Sequence, residues 1–273
     1  MTALFHRRAA RPLLLLASLV VLTGWLIGKG KSPSIRRCEG HAMGCAWTLL
    51  YRAPSHSPAD VSAEVQQILD RWEQVMSTWR EDSDLSRHNR GAAPSPDLQR
   101  VIRLAEQMHD ATSGAFDPRI LPAVHRAGFA PAGQGLDLSG IGKGFAVDRV
   151  AEHLRARGIH DFLFQLAGET IAGDAPWEVA LEAPDPTQRR ITRTLTLQNR
   201  ALATSGNYRQ YITDNNGIHS HIIDPRTSLP VVRPFSAVTV LAPDAATADA
   251  WSTALFVTGA RQAPPPLEVI WQP

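Results

Sequence analysis

The residues best suited to chemistry in this chain would suit a negatively charged ligand. Lys143 stands in the run Leu136–Leu154, LDLSGIGKGFAVDRVAEHL, among Gly140, Gly142 and Gly144. Beyond the glycines, Val147, Val150, Ala151 and Leu154 recur at helical spacing, which predicts a helix beginning near Gly144. A helix N-terminus disfavours a cation and favours an anion. A lysine placed there fits an anion shared with free N–H groups, or a solvated side chain in a glycine turn. Two phosphate motifs are excluded: a P-loop needs Ser or Thr where Gly144 follows Lys143, and the dinucleotide fingerprint needs G-x-G-x-x-G where the chain has G-x-G-x-G.

Asp249 and Thr253 lie four residues apart on a predicted last helix, so they share a face. A carboxylate and a hydroxyl so placed can hold an oxygen-seeking cation such as Mg²⁺. The ordinary alternative is a threonine bonded back to the Asp249 carbonyl. His221, in the strand-like run SHIIDPRT, could act as a general base or phosphate ligand, or could simply pack. Asp117 precedes a proline, which favours extended backbone and leaves its side chain free to reach outward, while Asp137 is equally suited to capping. No Cys/His cluster suggests structural zinc, and no G-x-S-x-G suggests a hydrolase elbow.

These residues need elements to position them. His41–Leu50 reads as the first strand of the body. Val61, Val65, Ile68, Trp72, Val75 and Met76 mark an amphipathic helix, and Leu98, Val101, Ile102, Ala105 and Met108 mark a second. Strands are predicted at Asp161–Leu166, Trp177–Leu181, Arg193–Gln198, His219–Ile223 and Ala237–Ala242, with ATSGN read as a loop. Ala245–Val257 is the last helix, closed by Gly259, and an extended tail follows Pro264–Pro266. Strands and helices mix without regular βαβ alternation, so the expected class is α+β with mixed or antiparallel sheets and packed helices.

Length and charge narrow the partners. The 273 residues suffice for one large domain or two small ones. The first 37 residues hold seven basic side chains and no acidic one, leaving residues 38–273 with 21 basic against 26 acidic, net −5. A body without a basic stripe argues against nucleic-acid binding. Arg7, Arg8 and Arg11 precede the apolar run Leu13–Ile27, which fits a signal anchor or signal peptide. The expected organisation is a leader over residues 1–37, a body over 38–262 and a proline-rich tail over 263–273. The body would lie outside the cytoplasm, facing the periplasm from the bacterial inner membrane, or be released there if the leader is cleaved. Cys38 and Cys45 are expected to be free thiols.

Taken together and in order, MGCAW, MSTWREDSDLSRHN, GAFDPRILP, DLSGIGKGFAVDRVAEHL, AGETIAGD, ATSGNYRQY, SHIIDPRT and VLAPDAATADAWSTALFVTG resemble the ApbE family of FAD:protein FMN transferases of the bacterial envelope. The resemblance runs from about Gly40 to Gly259. It implies a T-fold-related architecture and an Mg²⁺-dependent reaction that cleaves FAD, releases AMP and attaches FMN to a Thr or Ser of an acceptor protein. By the same resemblance Gly140, Asp249 and Thr253 would hold the metal. Met43, Ser77, Thr78, Trp79, Phe116, Asp117, Asp137, Lys143, His221 and Ile222 would hold FAD. Lys143 would offset pyrophosphate charge, and His221 would deprotonate the acceptor hydroxyl. Four positions depart from the family pattern: Cys45, Arg119, Ala167, and Ser228 with Leu229. The run Asp110–Phe116, DATSGAF, resembles the acceptor motif, but Phe116 occupies the place of the modified hydroxyl, so self-modification is not expected. Two other readings stay open: FAD hydrolysis with water as acceptor, and a non-catalytic flavin-binding accessory of an envelope reductase.

Overall fold

The computed structural model describes residues 34–214 and 217–272; the leader's apolar run lies outside them. Among the described residues no helix is long and apolar enough to cross a membrane. Seven strands form the main sheet: β1 (Arg36–Ala42), β2 (Cys45–Tyr51), β3 (Phe162–Leu166), β4 (Glu169–Ala172), β7 (Ala201–Gly206), β11 (Ala237–Ala242) and β12 (Glu268–Gln272). They lie side by side in that order, and every pairing is antiparallel. A second sheet has the antiparallel order β10 (Leu229–Val232), β9 (Gly217–Asp224), β8 (Tyr211–Asp214). β5 (Trp177–Glu182) and β6 (Ile191–Leu197) form a separate hairpin. The α+β expectation therefore holds, with antiparallel sheets throughout.

The helices are α1 (Pro58–Met76), α2 (Asp84–Asn89), α3 (Pro96–Ala111), α4 (Leu121–Arg126), α5 (Ser139–Ala156) and α6 (Ala245–Thr258). The largest buried cluster joins Val65, Leu69 and Trp72 of α1 to Phe145, Val147 and Val150 of α5 and to Trp47, Leu49 and Phe164 of the sheet. Trp72 meets the Phe145 ring edge-on, with centroids 4.7 Å apart.

Three local expectations are corrected. The strand expected over His41–Leu50 is two strands, because Met43 and Gly44 both take positive φ (52° and 72°) and form a two-residue hairpin turn. That register sets Cys38 opposite Leu49 and Cys45 opposite Ala42, and both thiols are free. The glycine run is not a turn before α5 but its first turns: the Asp137 carboxylate accepts the Ser139 N–H at 2.7 Å, and the helix starts there. Lys143 therefore stands one turn inside the helix. ATSGN is not a loop. Ala201–Gly206 is an interior strand whose small side chains let α6 lie close, with Ala203, Ala242 and Ala248 in one buried cluster. The tail is extended as expected, its residues Glu268–Gln272 forming β12 paired with β11.

Gly144 in α5 is there for α6. A methyl group on Gly144 would lie 2.3 Å from the Ala245 carbonyl oxygen, whereas one on Gly142 would make ordinary contact with Met76 at 3.5 Å. Asp148 fixes the same crossing, its carboxylate accepting the Ala245 and Ala246 N–H groups at 2.7 and 2.9 Å. Gly144→Ala is expected to destabilise the fold by about 2–3 kcal/mol through overpacking against backbone that cannot yield. Gly142→Ala is expected to be neutral or to stabilise by up to ~1 kcal/mol through helix propensity. Urea unfolding of the two variants checks the contrast.

Candidate active site

The crossing of α5 and α6 creates a buried charge centre beside β4. Asp249, on α6, accepts the Gly144 N–H at 3.0 Å. Lys143 Nζ donates to Glu169 Oε1 at 2.8 Å, from the first residue of β4. Burial works against the Lys143 ammonium, but the Glu169 and Asp249 carboxylates outweigh it and lift its pKa above the ordinary lysine value. Burial pushes both carboxylates up, with the Lys143 charge pulling them back. Two carboxylates thus share one ammonium, and Glu169 Oε2 is buried with no hydrogen-bond partner.

The residues expected to hold a metal meet here. A methyl group on Gly140 would lie 3.2 Å from Thr253 Oγ1, so the α5 backbone and the Thr253 hydroxyl are neighbours. Thr253 and Asp249 share the α6 face as their spacing requires. The back-bond to the Asp249 carbonyl comes from Ser252 Oγ, at 2.9 Å, rather than from Thr253. The Thr253 hydroxyl instead faces Ser205 Oγ of β7 at 3.4 Å. In a regular helix the Gly140 carbonyl takes the Gly144 N–H. Asp249 shares that donor, and a carbonyl oxygen keeps a second lone pair in any case.

The residues expected to hold a flavin nucleotide are spread over several elements. Phe116 is buried with its ring 3.2 Å from the same methyl position on Gly140. Asp137 is buried, accepting the Ser139 N–H at the start of α5 while its own N–H donates to the Pro118 carbonyl at 2.7 Å. Asp117 is held by Arg119, whose backbone N–H and Nη1 reach Asp117 Oδ1 at 2.9 and 3.1 Å. Met43 docks its turn on α1 through an N–H donated to Glu73 Oε2 at 3.0 Å. Ser77 ends α1, its hydroxyl accepting the Trp79 and Arg80 N–H groups at 3.1 and 3.2 Å. Thr78 follows half-buried, and Trp79 is 69% exposed. Ile222 turns its side chain into the core with Val238 and Phe256, so only its backbone could meet a ligand.

His221 sits on β9 with its ring edge-on to Phe129, centroids 6.1 Å apart. Its Nδ1 lies 3.1 Å from the Gln210 carbonyl oxygen. That oxygen can only accept, so Nδ1 carries the proton and Nε2 presents a lone pair. Desolvation, aided by the Lys143 charge, pulls the imidazole down to about 4, so it is neutral at pH 7.

Two members of the site escaped the residue-type reading. Glu169 lay within AGETIAGD but had no partner in sequence, since Lys143 is 26 residues away. Asp148 looked like one more polar position on α5, yet burial pushes it up to about 7 while it clasps the α6 N-terminus. Cys45 is near enough to this centre for the charges of Lys143, Glu169 and Glu73 to act on its thiol.

Fold and centre together define an α+β protein with a buried lysine–carboxylate cluster beneath a hydroxyl-bearing helix face. The chain belongs to the ApbE family, whose model matches residues 43–135 and 130–269. It is 30% identical to a Haemophilus influenzae FAD:protein FMN transferase over 84% of this chain and 82% of that protein. It is likewise 30% identical to the Vibrio cholerae FAD:protein FMN transferase, over 90% and 87%. Among solved structures it resembles the flavin transferase ApbE from Vibrio cholerae, with 27% identity, a TM-score of 0.70, and 82% and 87% of the two chains covered.

Lys143→Met would leave two buried carboxylates without their cation, and is expected to lower stability by about 3 kcal/mol at pH 7. The Lys143→Met/Glu169→Gln pair should recover part of that loss, as a denaturant double-mutant cycle would register. The His221 linkage has a definite sign. Its folded pKa, about 4, lies below the ordinary 6.5, so its contribution is complete above pH 6.5 and is lost as pH falls toward 4. His221→Gln is expected to flatten that part of the stability–pH curve, measured by urea titration between pH 4 and 7.

Proposed function

We propose that this chain is an Mg²⁺-dependent enzyme that moves FMN from FAD to a Thr or Ser hydroxyl of an acceptor protein, releasing AMP. The observation that supports the reading is the Gly144–Asp249 bond, taken with the closeness of Gly140 to Thr253; together they would let the Gly140 carbonyl, the Asp249 carboxylate and the Thr253 hydroxyl face one cation. All three are hard oxygen donors, the set that Mg²⁺ prefers. The excess of buried carboxylate over ammonium, with Glu169 Oε2 orphaned, is a deficit of positive charge that a divalent cation relieves. Magnesium bound there would offset charge on the pyrophosphate of FAD.

The chain's own residues then divide the work. Lys143 has three donors and gives one to Glu169, which leaves two for phosphate oxygens. Phe116, Met43 and the Ser77–Trp79 segment would orient the flavin nucleotide. His221 Nε2 takes the proton of the acceptor hydroxyl as its oxygen bonds to the phosphorus of the FMN half. The bond from that phosphorus to the AMP phosphate breaks, and AMP leaves with the electron pair. Most of the acceleration would come from positioning and charge neutralisation. The apolar run with basic flanks supports placing the enzyme at the inner membrane, facing the periplasm, which protease protection in spheroplasts tests.

The test mixes full-length protein, FAD and Mg²⁺ with an acceptor bearing the family's target motif. Stoichiometric AMP and acceptor-bound flavin fluorescence are expected, with both abolished by a chelator and restored by Mg²⁺. Asp249→Ala should reduce the rate at least 100-fold, and His221→Ala by roughly 10²–10⁴-fold. AMP with free FMN and no flavinylated acceptor would make the enzyme a hydrolase instead. Flavin binding without turnover would make it an accessory protein.

A further inference from the structure

Helices α3 and α5 border an open cavity of about 300 Å³ lined by Arg100, Arg103, Leu104, Gln107, Phe145 and Arg149. It is separate from the centre described above. From Lys143 to Phe145 the helix turns about 200°, so the cavity lies on the far face of α5. The α3 residues fall at i, i+3, i+4 and i+7, which lines them along one side, and Phe145 and Arg149 form one step of the opposite wall. The guanidinium carbons of Arg149 and Arg100 lie 4.8 and 6.0 Å from the Phe145 ring centroid.

The charges here do not balance. Arg149 pairs with Glu152 at 2.6 Å, but its Nε and Nη1 are buried without hydrogen-bond partners. Burial and the Arg100 charge work against its protonated form, while Glu152, Asp148 and Asp244 support it. Asp148 and Asp244 are already engaged, on the Ala245, Ala246 and Thr247 N–H groups. Arg100 and Arg103 make no ion pair among the described residues. Three guanidinium groups thus gather around one recess, with a single carboxylate paired to them, on a body whose net charge is −5. A recess of this size suits a small ligand. Guanidinium groups favour oxyanions of fixed geometry, and a polyvalent one gains from all three.

We propose that this cavity binds a phosphoryl group, carried either by a soluble phosphate or by an anionic lipid headgroup. The proposal is independent of flavin transfer. Calorimetric titration of the full-length protein in non-ionic detergent tests it with two probes: inorganic phosphate, and glycerophosphoglycerol as a tail-free headgroup. Chloride at matched ionic strength serves as the control. Phosphate should bind with a Kd on the order of 1 mM, and Arg100→Glu/Arg103→Glu should weaken it at least tenfold. Both positions are exposed, and Arg100→Ala/Arg103→Ala gives the milder change should the reversal disturb folding. Arginine-dependent binding of the diester as well assigns the site to a headgroup; such binding of phosphate alone assigns it to a soluble anion, and either result upholds the proposal. No binding of either probe, equal heats with chloride, or undiminished affinity in both variants would overturn it.

Discussion

The hydrogen bond from the Gly144 N–H to the Asp249 carboxylate is the contact on which the site depends. It exists only because α5 and α6 cross at backbone distance, and they do so because no side chain stands at Gly144. One close crossing therefore has three results. It buries a carboxylate, it ties that carboxylate to the Gly144 N–H, and it brings the Thr253 hydroxyl to the α5 backbone. Asp148 secures the geometry from the opposite direction by clasping the first N–H groups of α6. A helix that would otherwise prefer alanine at these positions gives up propensity for proximity.

Burying that carboxylate has an electrostatic consequence. Asp249 and Glu169 are both desolvated, and the Lys143 charge acts on both. The lysine is thereby kept charged, where burial alone would tend to neutralise it. On the proposed function, the remaining negative charge would make the centre receptive to a cation and, with that cation, to a pyrophosphate. The antiparallel sheet contributes rigidity to this arrangement, since Glu169 begins β4 and Ser205 lies on β7, adjacent strands of the same ladder. The small sheet supplies a neutral imidazole at a different edge, its proton fixed on Nδ1 by the Gln210 carbonyl.

Much of this was legible in the residues. The i, i+4 pair on α6 could be placed on one face from spacing alone, and the long amphipathic helices announced themselves by period. The ordered motifs pointed to the family that the comparisons then established. What stayed hidden was what depends on distant partners. The glycine run read as a turn because its reason, the Ala245 backbone, lies about a hundred residues away in sequence. The strand Ala201–Gly206 read as a loop because small residues serve close helix packing as readily as they serve turns. Glu169 had no visible role until the fold set it against Lys143. Met43–Gly44 passed as strand because an uncharged, apolar turn carries no polar turn signal.

The most direct test of the central claim is anomalous diffraction from crystals grown with FAD and Mn²⁺ in place of Mg²⁺. The account predicts an anomalous peak within coordination distance of the Gly140 carbonyl oxygen, an Asp249 carboxylate oxygen and Thr253 Oγ1, against the pyrophosphate of the bound dinucleotide. Bound FAD with its pyrophosphate away from this crossing, or with manganese held by other residues, would contradict it.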